Sequence, residues 1–378
     1  MIASPVRVLV VDDSALMRKL IPQILTTDSS IQVVGTAMDG NFGLRKIEEL
    51  QPQVITLDLE MPGMSGLEML KEIMRRHKMP VIVVSSHSTQ GASVTLQALS
   101  LGAFDFVAKP QDVAARMPQI AQELISKIKA AALSRGVPVR PIADVVRPTV
   151  KSTSQTKSTA SKIVAIGVST GGPHALQYVL SQLPSDFPGS IVIVQHMPEG
   201  FTEMFARRLD EICGIAVKEA QSGDLLLAGR ALICPGARHI KIKRLPLGDV
   251  AVLSDDPRVN GHRPSADVLF KSLAEEFGPK GIAVLMTGMG DDGAEGMGGV
   301  KAAGGRTIAQ NEESCVVYGM PKAAIERGYA LRVVALDALA NTLLAQCMLE
   351  RKGFAPEGLR TIGPLVPEVT RSWGQETE

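Results

Sequence analysis

The chain has 378 residues, with 40 basic and 39 acidic side chains and a formal net charge of +1. This length predicts two domains, and a charge so close to zero excludes attraction to nucleic acid or membrane through bulk charge alone. Hydrophobic residues make up 45% of the chain and aromatic residues only 3%, and there are 35 glycines. This composition favours α/β layers joined by many tight turns.

The cysteines and the N-terminus indicate a cellular compartment. Cys213, Cys234, Cys315 and Cys347 are widely spaced and form no CxxC pair, which argues against a zinc site and against a disulfide framework. No charged leader with an apolar core precedes the strand-like segment at Val6, and no apolar run reaches about 18 residues. We therefore expect a soluble cytoplasmic protein.

Five polar residues in the N-terminal part of the chain each follow a short apolar run: Asp12, Asp13, Asp58, Ser85 and Lys109. Such runs are typical of buried parallel strands, whose carboxyl ends meet at one edge of the sheet. Three carboxylates there suit Mg²⁺, with Asp58 as the phosphoryl acceptor. Lys109 would contact the phosphoryl oxygens, and the Ser85 hydroxyl would follow the new charge.

A simpler interpretation is that Asp12 and Asp13 cap a helix that begins near Ala15, and that Asp58 is a loop carboxylate. The joint occurrence of these residues at successive strand ends favours a phosphoryl switch. Three segments closely resemble the receiver domain of two-component response regulators: Val8–Ser14, Leu57–Met64 and Phe106–Pro110. The resemblance implies a flavodoxin-like, doubly wound parallel sheet. It also makes Phe106 a switch aromatic whose ring would rotate inward when Ser85 moves.

Composition divides the rest of the chain. We predict a receiver domain at 1–133, a flexible cationic linker at 134–161, a catalytic α/β domain at 162–350 and a mobile tail at 351–378. The linker is rich in proline, serine, threonine and lysine, without apolar periodicity. The tail is rich in helix-breaking residues and holds the only tryptophan, Trp373.

The second domain shows a βα alternation that predicts a mostly parallel sheet. Apolar runs at 163–166, 191–194, 231–233 and 282–286 alternate with helix-like segments near 174–183, 202–212, 265–277 and 319–327.

The first of these runs leads into a Gly-x-Ser-x-Gly turn centred on Ser169, and Pro173 then starts a helix. This is the setting of a nucleophile elbow, in which a sharp turn exposes the serine and backbone amides at the helix start can meet an oxyanion. A phosphate cradle and a merely tight turn are the alternatives. The loop lacks both the P-loop lysine and the spacing of a dinucleotide fingerprint.

A nucleophilic serine needs a base and an orienting acid. His196 follows the predicted strand at 191–194, whereas His174 lies within a helix and His239 and His262 have no strand-edge context. We therefore predict His196 as the base. Asp291 and Asp292 follow the run at 282–286. One of them would orient the histidine while the other caps a helix. The chain order differs from that of α/β-hydrolases.

Together with the receiver, the segments Gly167–Pro173, Gln195–Met197 and Thr287–Gly293 resemble the chemotaxis protein-glutamate methylesterases of the CheB family. The resemblance implies a serine hydrolase triad of Ser169, His196 and Asp292, with oxyanion support near Thr170 and from Met289. It implies demethylation of methyl-accepting chemoreceptors with release of methanol, and deamidation of receptor glutamines.

The resemblance also implies control by a histidine kinase. The unphosphorylated receiver would cover the active-site face until Asp58 is phosphorylated with Mg²⁺, whereas ester hydrolysis would need no cofactor. The loop Asn260–Ser265 is a candidate receptor contact, with an ordinary surface turn as its alternative. A rival hypothesis makes the second domain a non-catalytic protein-binding adaptor. Nucleic-acid binding is disfavoured because no basic recognition helix follows Lys162.

Overall fold

The computed structural model describes residues 4–86, 88–109, 113–134 and 160–348. Most of the predicted linker and the whole predicted tail lie outside these residues. Within the described residues, no helix combines the length and the apolarity needed to cross a membrane.

The N-terminal domain is a five-stranded parallel sheet with strand order β2-β1-β3-β4-β5. Its strands are β1 Val6–Val11, β2 Ile31–Ala37, β3 Val54–Leu57, β4 Val81–Ser85 and β5 Asp105–Ala108. Its helices are α1 Ala15–Leu25, α2 Gly40–Leu50, α3 Gly66–Arg76, α4 Thr89–Ser100 and α5 Val113–Leu133. This is the flavodoxin-like order, in which the ligand site lies beyond the carboxyl ends of the strands.

Helix α1 shows how short-range chemistry sets up that edge. The Ser14 side chain caps the helix by accepting the Met17 N–H, so neither Asp12 nor Asp13 is the N-cap, and the capping interpretation is wrong for both. Asp12 instead accepts the Ser14 N–H at 2.9 Å. The Asp12 and Asp13 side chains therefore do not serve as the N-cap of α1.

The C-terminal domain is a seven-stranded, all-parallel sheet with order β14-β13-β12-β6-β7-β9-β8, which confirms the predicted α/β class. Its strands are β6 Ile163–Val168, β7 Ser190–Gln195, β8 Ala216–Glu219, β9 Arg230–Ile233, β12 Gly281–Leu285, β13 Arg306–Gln310 and β14 Arg332–Val334. The helices are α6 Gly172–Ser181, α7 Phe201–Ile212, α8 Ala266–Phe277, α9 Ala294–Ala302, α10 Met320–Glu326 and α11 Leu336–Met348.

An antiparallel hairpin, β10 His239–Leu245 and β11 Gly248–Ser254, forms a separate two-stranded sheet. The sequence pattern did not predict this hairpin, nor β8, β13, β14 and α11, whereas a helix after the run at 282–286 was expected and is α9. In β10, apolar and basic residues alternate, and the buried Ile240 and Ile242 point towards α8 while the basic side chains stay half-buried or exposed. Such alternation is typical of a strand with one solvent-exposed face, and it differs from the continuous apolar runs by which the other strands were predicted.

Candidate functional site

Three adjacent strands bring Ser169, His196 and Asp292 to one edge of the C-terminal sheet. Strands β6 and β7 pair in register, and Val168 lies opposite Gln195 at their ends. Ser169 is the next residue after β6, and His196 is the next residue after β7. The His196 N–H donates to the Val168 carbonyl at 3.1 Å. Asp292 lies beyond β12, which pairs with the other side of β6.

The turn that carries Ser169 is fixed by close backbone packing. The Ser169 N–H donates to the Thr287 carbonyl at 3.0 Å, and its own carbonyl accepts from the Gly172 N–H and from Gln195 Nε2. Gly171 has φ +76°, and a Cβ there would lie 2.5 Å from Val316 Cβ. Only glycine satisfies both constraints. The serine is therefore held from the β7 side and the β12 side at once.

The His196 ring is bound at one nitrogen and free at the other. Nε2 lies 2.8 Å from Asp292 Oδ2, and Nδ1 is buried without a hydrogen-bond partner among the described residues. With Nε2–H donating to the carboxylate, Nδ1 carries the lone pair that can accept a proton. This reverses the common hydrolase arrangement, in which Nδ1 faces the acid and Nε2 faces the serine.

Asp292 is held as an anion at the start of α8. Its carboxylate accepts from the Ser265 hydroxyl at 2.6 Å and from the Ala266 N–H at 2.7 Å. Burial alone would raise its pKa, but the hydrogen bonds from His196, Ser265 and Ala266 outweigh burial and hold the pKa of Asp292 below its usual value. The partial positive charge of a helix N-terminus acts in the same direction.

The neighbouring acid has a different environment. Asp291 is exposed and pairs with Arg327 at 2.7 Å, whereas the N-cap of α9 is Gly293. Neither acid therefore caps the helix that follows β12. Of the two, Asp292 contacts His196.

The two backbone amides predicted to support an oxyanion belong to Thr170 and Met289. The Thr170 carbonyl accepts from the Thr287 hydroxyl at 3.0 Å. Within the described part of the chain, however, neither the Thr170 N–H nor the Met289 N–H donates a hydrogen bond. Thr170 is buried, and buried N–H groups without a partner are rare. Both amides are available to an oxyanion, and their role stays a prediction.

The other histidines of this domain lie in three different environments. His174 Nε2 lies 2.5 Å from the Leu99 carbonyl of α4, and burial lowers the His174 pKa to about 4. His239 is buried with Nε2 3.0 Å from the Pro257 carbonyl. His262, which the sequence analysis set aside, lies with its ring against the ring of His196. The Asn-Gly dipeptide before His262 predicts a tight turn at this position, but not the contact of the ring with His196.

A second site lies at the carboxyl edge of the N-terminal sheet. Carboxylate oxygens of Asp12, Asp13 and Asp58 come within 4.8 Å of one another, and Lys109 Nζ lies 2.6 Å from Asp58 Oδ2 and 3.0 Å from Asp12 Oδ2. Burial raises the pKa of Asp58, opposed in part by Lys109. The single ammonium group of Lys109 faces the two buried carboxylates of Asp12 and Asp58, so the cluster with Asp13 keeps a net negative charge. Carboxylate oxygens with a net negative charge suit a hard divalent cation.

Known protein families match the N-terminal and C-terminal domains of the chain separately. Residues 164–343 match the CheB methylesterase family, and residues 8–121 match the response regulator receiver domain. A protein-glutamate methylesterase/protein-glutamine glutaminase of Koribacter versatilis is 62% identical over 356 residues, covering 92% of this chain and 98% of that protein. The chain belongs to the CheB methylesterase family.

The chain is also similar to two further CheB proteins. A protein-glutamate methylesterase/protein-glutamine glutaminase of Geobacter metallireducens is 45% identical over 93% of this chain and 98% of its own length. The solved CheB methylesterase catalytic domain of Thermotoga maritima is 42% identical, covers 50% of this chain and 98% of that domain, and has a TM-score of 0.48.

In this CheB family member the receiver contacts the segments that follow Ser169 and His196. Helix α4 packs on α6 and α7, and the Leu99 contact reaches His174 in the first turn of α6. The Phe106 and Phe201 rings stack with centroids 4.8 Å apart. Both rings are buried. The ring at the predicted switch position is thus shared between the two domains.

Proposed function

We propose that this chain hydrolyses γ-glutamyl methyl esters on methyl-accepting chemoreceptors, and that it deamidates receptor glutamines at the same site. The observation that carries the proposal is the buried, free Nδ1 of His196, held by Asp292 at the sheet edge where Ser169 follows the neighbouring strand. The names of the relatives support protein glutamate methyl esters and protein glutamines as the substrate class, and the choice of chemoreceptors rests on the family resemblance.

In the proposed mechanism each residue has a step. His196 Nδ1 takes the Ser169 hydroxyl proton while Oγ attacks the ester carbonyl. The Thr170 and Met289 N–H groups stabilise the oxyanion. The protonated His196 returns its proton to the departing methoxide, which leaves as methanol, or to the departing amide nitrogen of a glutamine, which leaves as ammonia, and Asp292 stabilises the cation meanwhile. Water then repeats the attack on the acyl-enzyme and regenerates the serine and the glutamate carboxylate.

The adaptor hypothesis leaves the site geometry without a purpose. A binding surface does not require a buried carboxylate with a lowered pKa, nor a histidine that is bound at Nε2 and free at Nδ1. These features match what acid–base chemistry needs. Catalysis is therefore favoured over binding alone.

We propose that Asp58 is phosphorylated by a histidine kinase and that Asp12, Asp13 and Asp58 would hold Mg²⁺. The cation would neutralise phosphoryl oxygens during transfer. Lys109 already contacts Asp58 and supplies a second positive charge. Burial lowers the pKa of Lys109, but the attraction of Asp58 and Asp12 outweighs it and raises that pKa overall. The ammonium therefore stays charged throughout the neutral range.

The path from Asp58 to the catalytic domain is short. The buried Ser85 hydroxyl donates to the Gly91 carbonyl of α4 at 3.3 Å, and a phosphoryl group on Asp58 would draw that hydroxyl away. The change would reach α4 and Phe106, which both contact the catalytic domain. Phosphorylation would thus weaken the contact that covers the segments after Ser169 and His196.

The first test measures methanol release from membranes that carry methylated receptors. With acetyl phosphate we expect the wild type to accelerate roughly 5- to 150-fold, the usual range of coupling between two sites. Asp58→Asn should keep the basal rate without acceleration. No release by the folded wild type would favour the adaptor. Equal acceleration in Asp58→Asn would remove Asp58 as the acceptor.

Gly288→Ala should disable the site by displacing the serine. A Cβ at Gly288 would lie 2.8 Å from Ser169 Cβ and 2.3 Å from Met320 Sδ. The methionine can move, but the serine backbone is held on both sides, so we expect the rate of ester hydrolysis to fall about 100-fold.

Gly299→Ala is the matched control, because only Ala274 Cβ lies near, at 3.9 Å, and the residue is within α9. It should keep full activity and stabilise the fold by about 0.5–1 kcal/mol. Equal activity in the two variants would contradict the close packing of Gly288 against Ser169.

A further inference from the structure

The face of the His196 ring is covered by a second imidazole. The rings of His196 and His262 are almost parallel, with an angle of 6° between their planes and 4.0 Å between their centroids. The hydrogen bond to Asp292 fixes one edge of the His196 ring, but a single hydrogen bond leaves the ring free to tilt about it. The stacked ring opposes that tilt.

His262 is itself placed by a tight turn. The Val259 N–H donates to the His262 carbonyl at 3.0 Å and the His262 N–H donates to the Val259 carbonyl at 2.9 Å. Between them Asn260 and Gly261 have φ of +51° and +79°, as in the Asn-Gly turns of tight hairpins. A turn of this kind has little freedom to move the ring away.

The turn is anchored to the same helix that holds the catalytic acid. Asn260 Nδ2 donates to Asp267 Oδ2 at 2.8 Å, and Asp267 lies in the first turn of α8. The residues directly before it, Ser265 and Ala266, donate to Asp292. The N-terminus of α8 thus fixes both the partner at the edge of the His196 ring and the partner on its face.

The charge state of His262 suits this position. Burial and the neighbouring His196 lower the pKa of His262 to about 4, with a further lowering by Arg258 and an opposing effect of Asp292 and Asp291. The ring is therefore neutral near pH 7. A neutral aromatic face does not repel an imidazolium and attracts a cation placed over it.

We propose that His262 is a positioning residue that holds the His196 ring in the plane joining Asp292 to Ser169. The inference rests on the proposed function, because it deepens the role of His196 as the proton carrier. It requires an aromatic face and no hydrogen bond from the His262 ring. That requirement separates stacking from a direct contact between His262 and the substrate.

The test compares His262→Ala with His262→Phe in the full-length chain. We expect His262→Ala to lower kcat for methanol release about 10- to 100-fold, the range expected when a catalytic group is displaced by a fraction of an ångström or more. KM should stay at its wild-type value. His262→Phe should restore kcat to within a few-fold of the wild type, since it keeps the face and removes both nitrogens. A Phe variant as slow as the Ala variant would overturn the proposal.

A second measurement does not depend on turnover. The His196 Nε2–H that donates to Asp292 can be followed by nuclear magnetic resonance, and its exchange with solvent should be faster in His262→Ala and slow again in His262→Phe. Unchanged exchange in His262→Ala would overturn the positioning role, whether or not the wild type releases methanol. Absence of methanol release by the wild type, together with exchange that is fast in His262→Ala and slow in His262→Phe, would refute the proposed function and support the stacking role.

Discussion

Ser169→Ala is expected to slow methanol release by roughly 10⁶-fold, the size of loss found when the nucleophile of a hydrolytic triad is removed. The variant lacks the hydroxyl oxygen that would form the acyl-enzyme in the proposed mechanism. Residual turnover would come from the oxyanion amides and substrate binding. The measurement is methanol release from methylated receptor membranes with acetyl phosphate present.

The fold should survive this change. The contacts that hold residue 169 use its backbone. Its N–H donates to the Thr287 carbonyl, and its carbonyl accepts from the Gly172 N–H and from Gln195 Nε2. Ser181→Ala is a suitable control. It removes a hydroxyl from α6 whose hydrogen bond is a local one to the Tyr178 carbonyl. Wild-type release by Ser169→Ala would refute the serine mechanism. A matching loss in Ser181→Ala would point to a general disturbance of α6.

Asp292→Asn is expected to lower kcat about 10⁴-fold, as in other triads that lose the charge of their acid. An asparagine can still accept from His196 and Ala266 through its one amide oxygen while its nitrogen faces the Ser265 hydroxyl. The shape of the site is then kept. What is lost is the negative charge that stabilises His196 as a cation during proton transfer.

Asp291→Asn is the natural control because it changes the adjacent acid in the same way. It breaks an exposed pair with Arg327, which contributes at most about 1 kcal/mol, and it leaves the contact between His196 and Asp292 in place. We expect near-wild-type kcat. If Asp291→Asn were the slower of the two variants, the assignment of the acid would be reversed.

Acid unfolding gives an independent check on Asp292. Its pKa is lower in the folded chain than in the unfolded chain, so the carboxylate stabilises the fold at pH values above its ordinary pKa of 3.8. That stabilisation is lost as the pH falls through the lower, folded value. The wild type should therefore lose stability in this acid range more steeply than Asp292→Asn, as measured by chemical denaturation at a series of pH values.

The sequence was informative wherever function depends on a strand end. Buried parallel strands read as apolar runs, and the first polar residue after each run must lie at the carboxyl edge. This rule was enough to bring Ser169 and His196 together, and to bring Asp58 near Asp12 and Lys109. It could not separate Asp291 from Asp292, because both follow the same strand and only the position of α8 distinguishes them.

The residues that the sequence did not indicate act across long chain separations. His262 reaches His196 through a turn anchored on α8, and Phe201 reaches Phe106 through the packing of two domains. Neither contact leaves a periodic pattern, since both depend on tertiary placement rather than on local geometry. Ser265 was named only as part of a candidate receptor-contact loop, and its hydrogen bond to Asp292 depends on the same tertiary placement.

The stacked rings of Phe106 and Phe201 are also a contact through which the conformations of the receiver and the catalytic domain can be energetically coupled. A coupling free energy between two sites acts equally in both directions. In the proposed mechanism, a receptor segment that displaced the receiver from α6 and α7 would therefore favour the receiver conformation that phosphorylation stabilises. Under that proposal the receptor would be an effector of the switch as well as its target, and a high level of methylated receptors would promote phosphorylation of the enzyme that demethylates them.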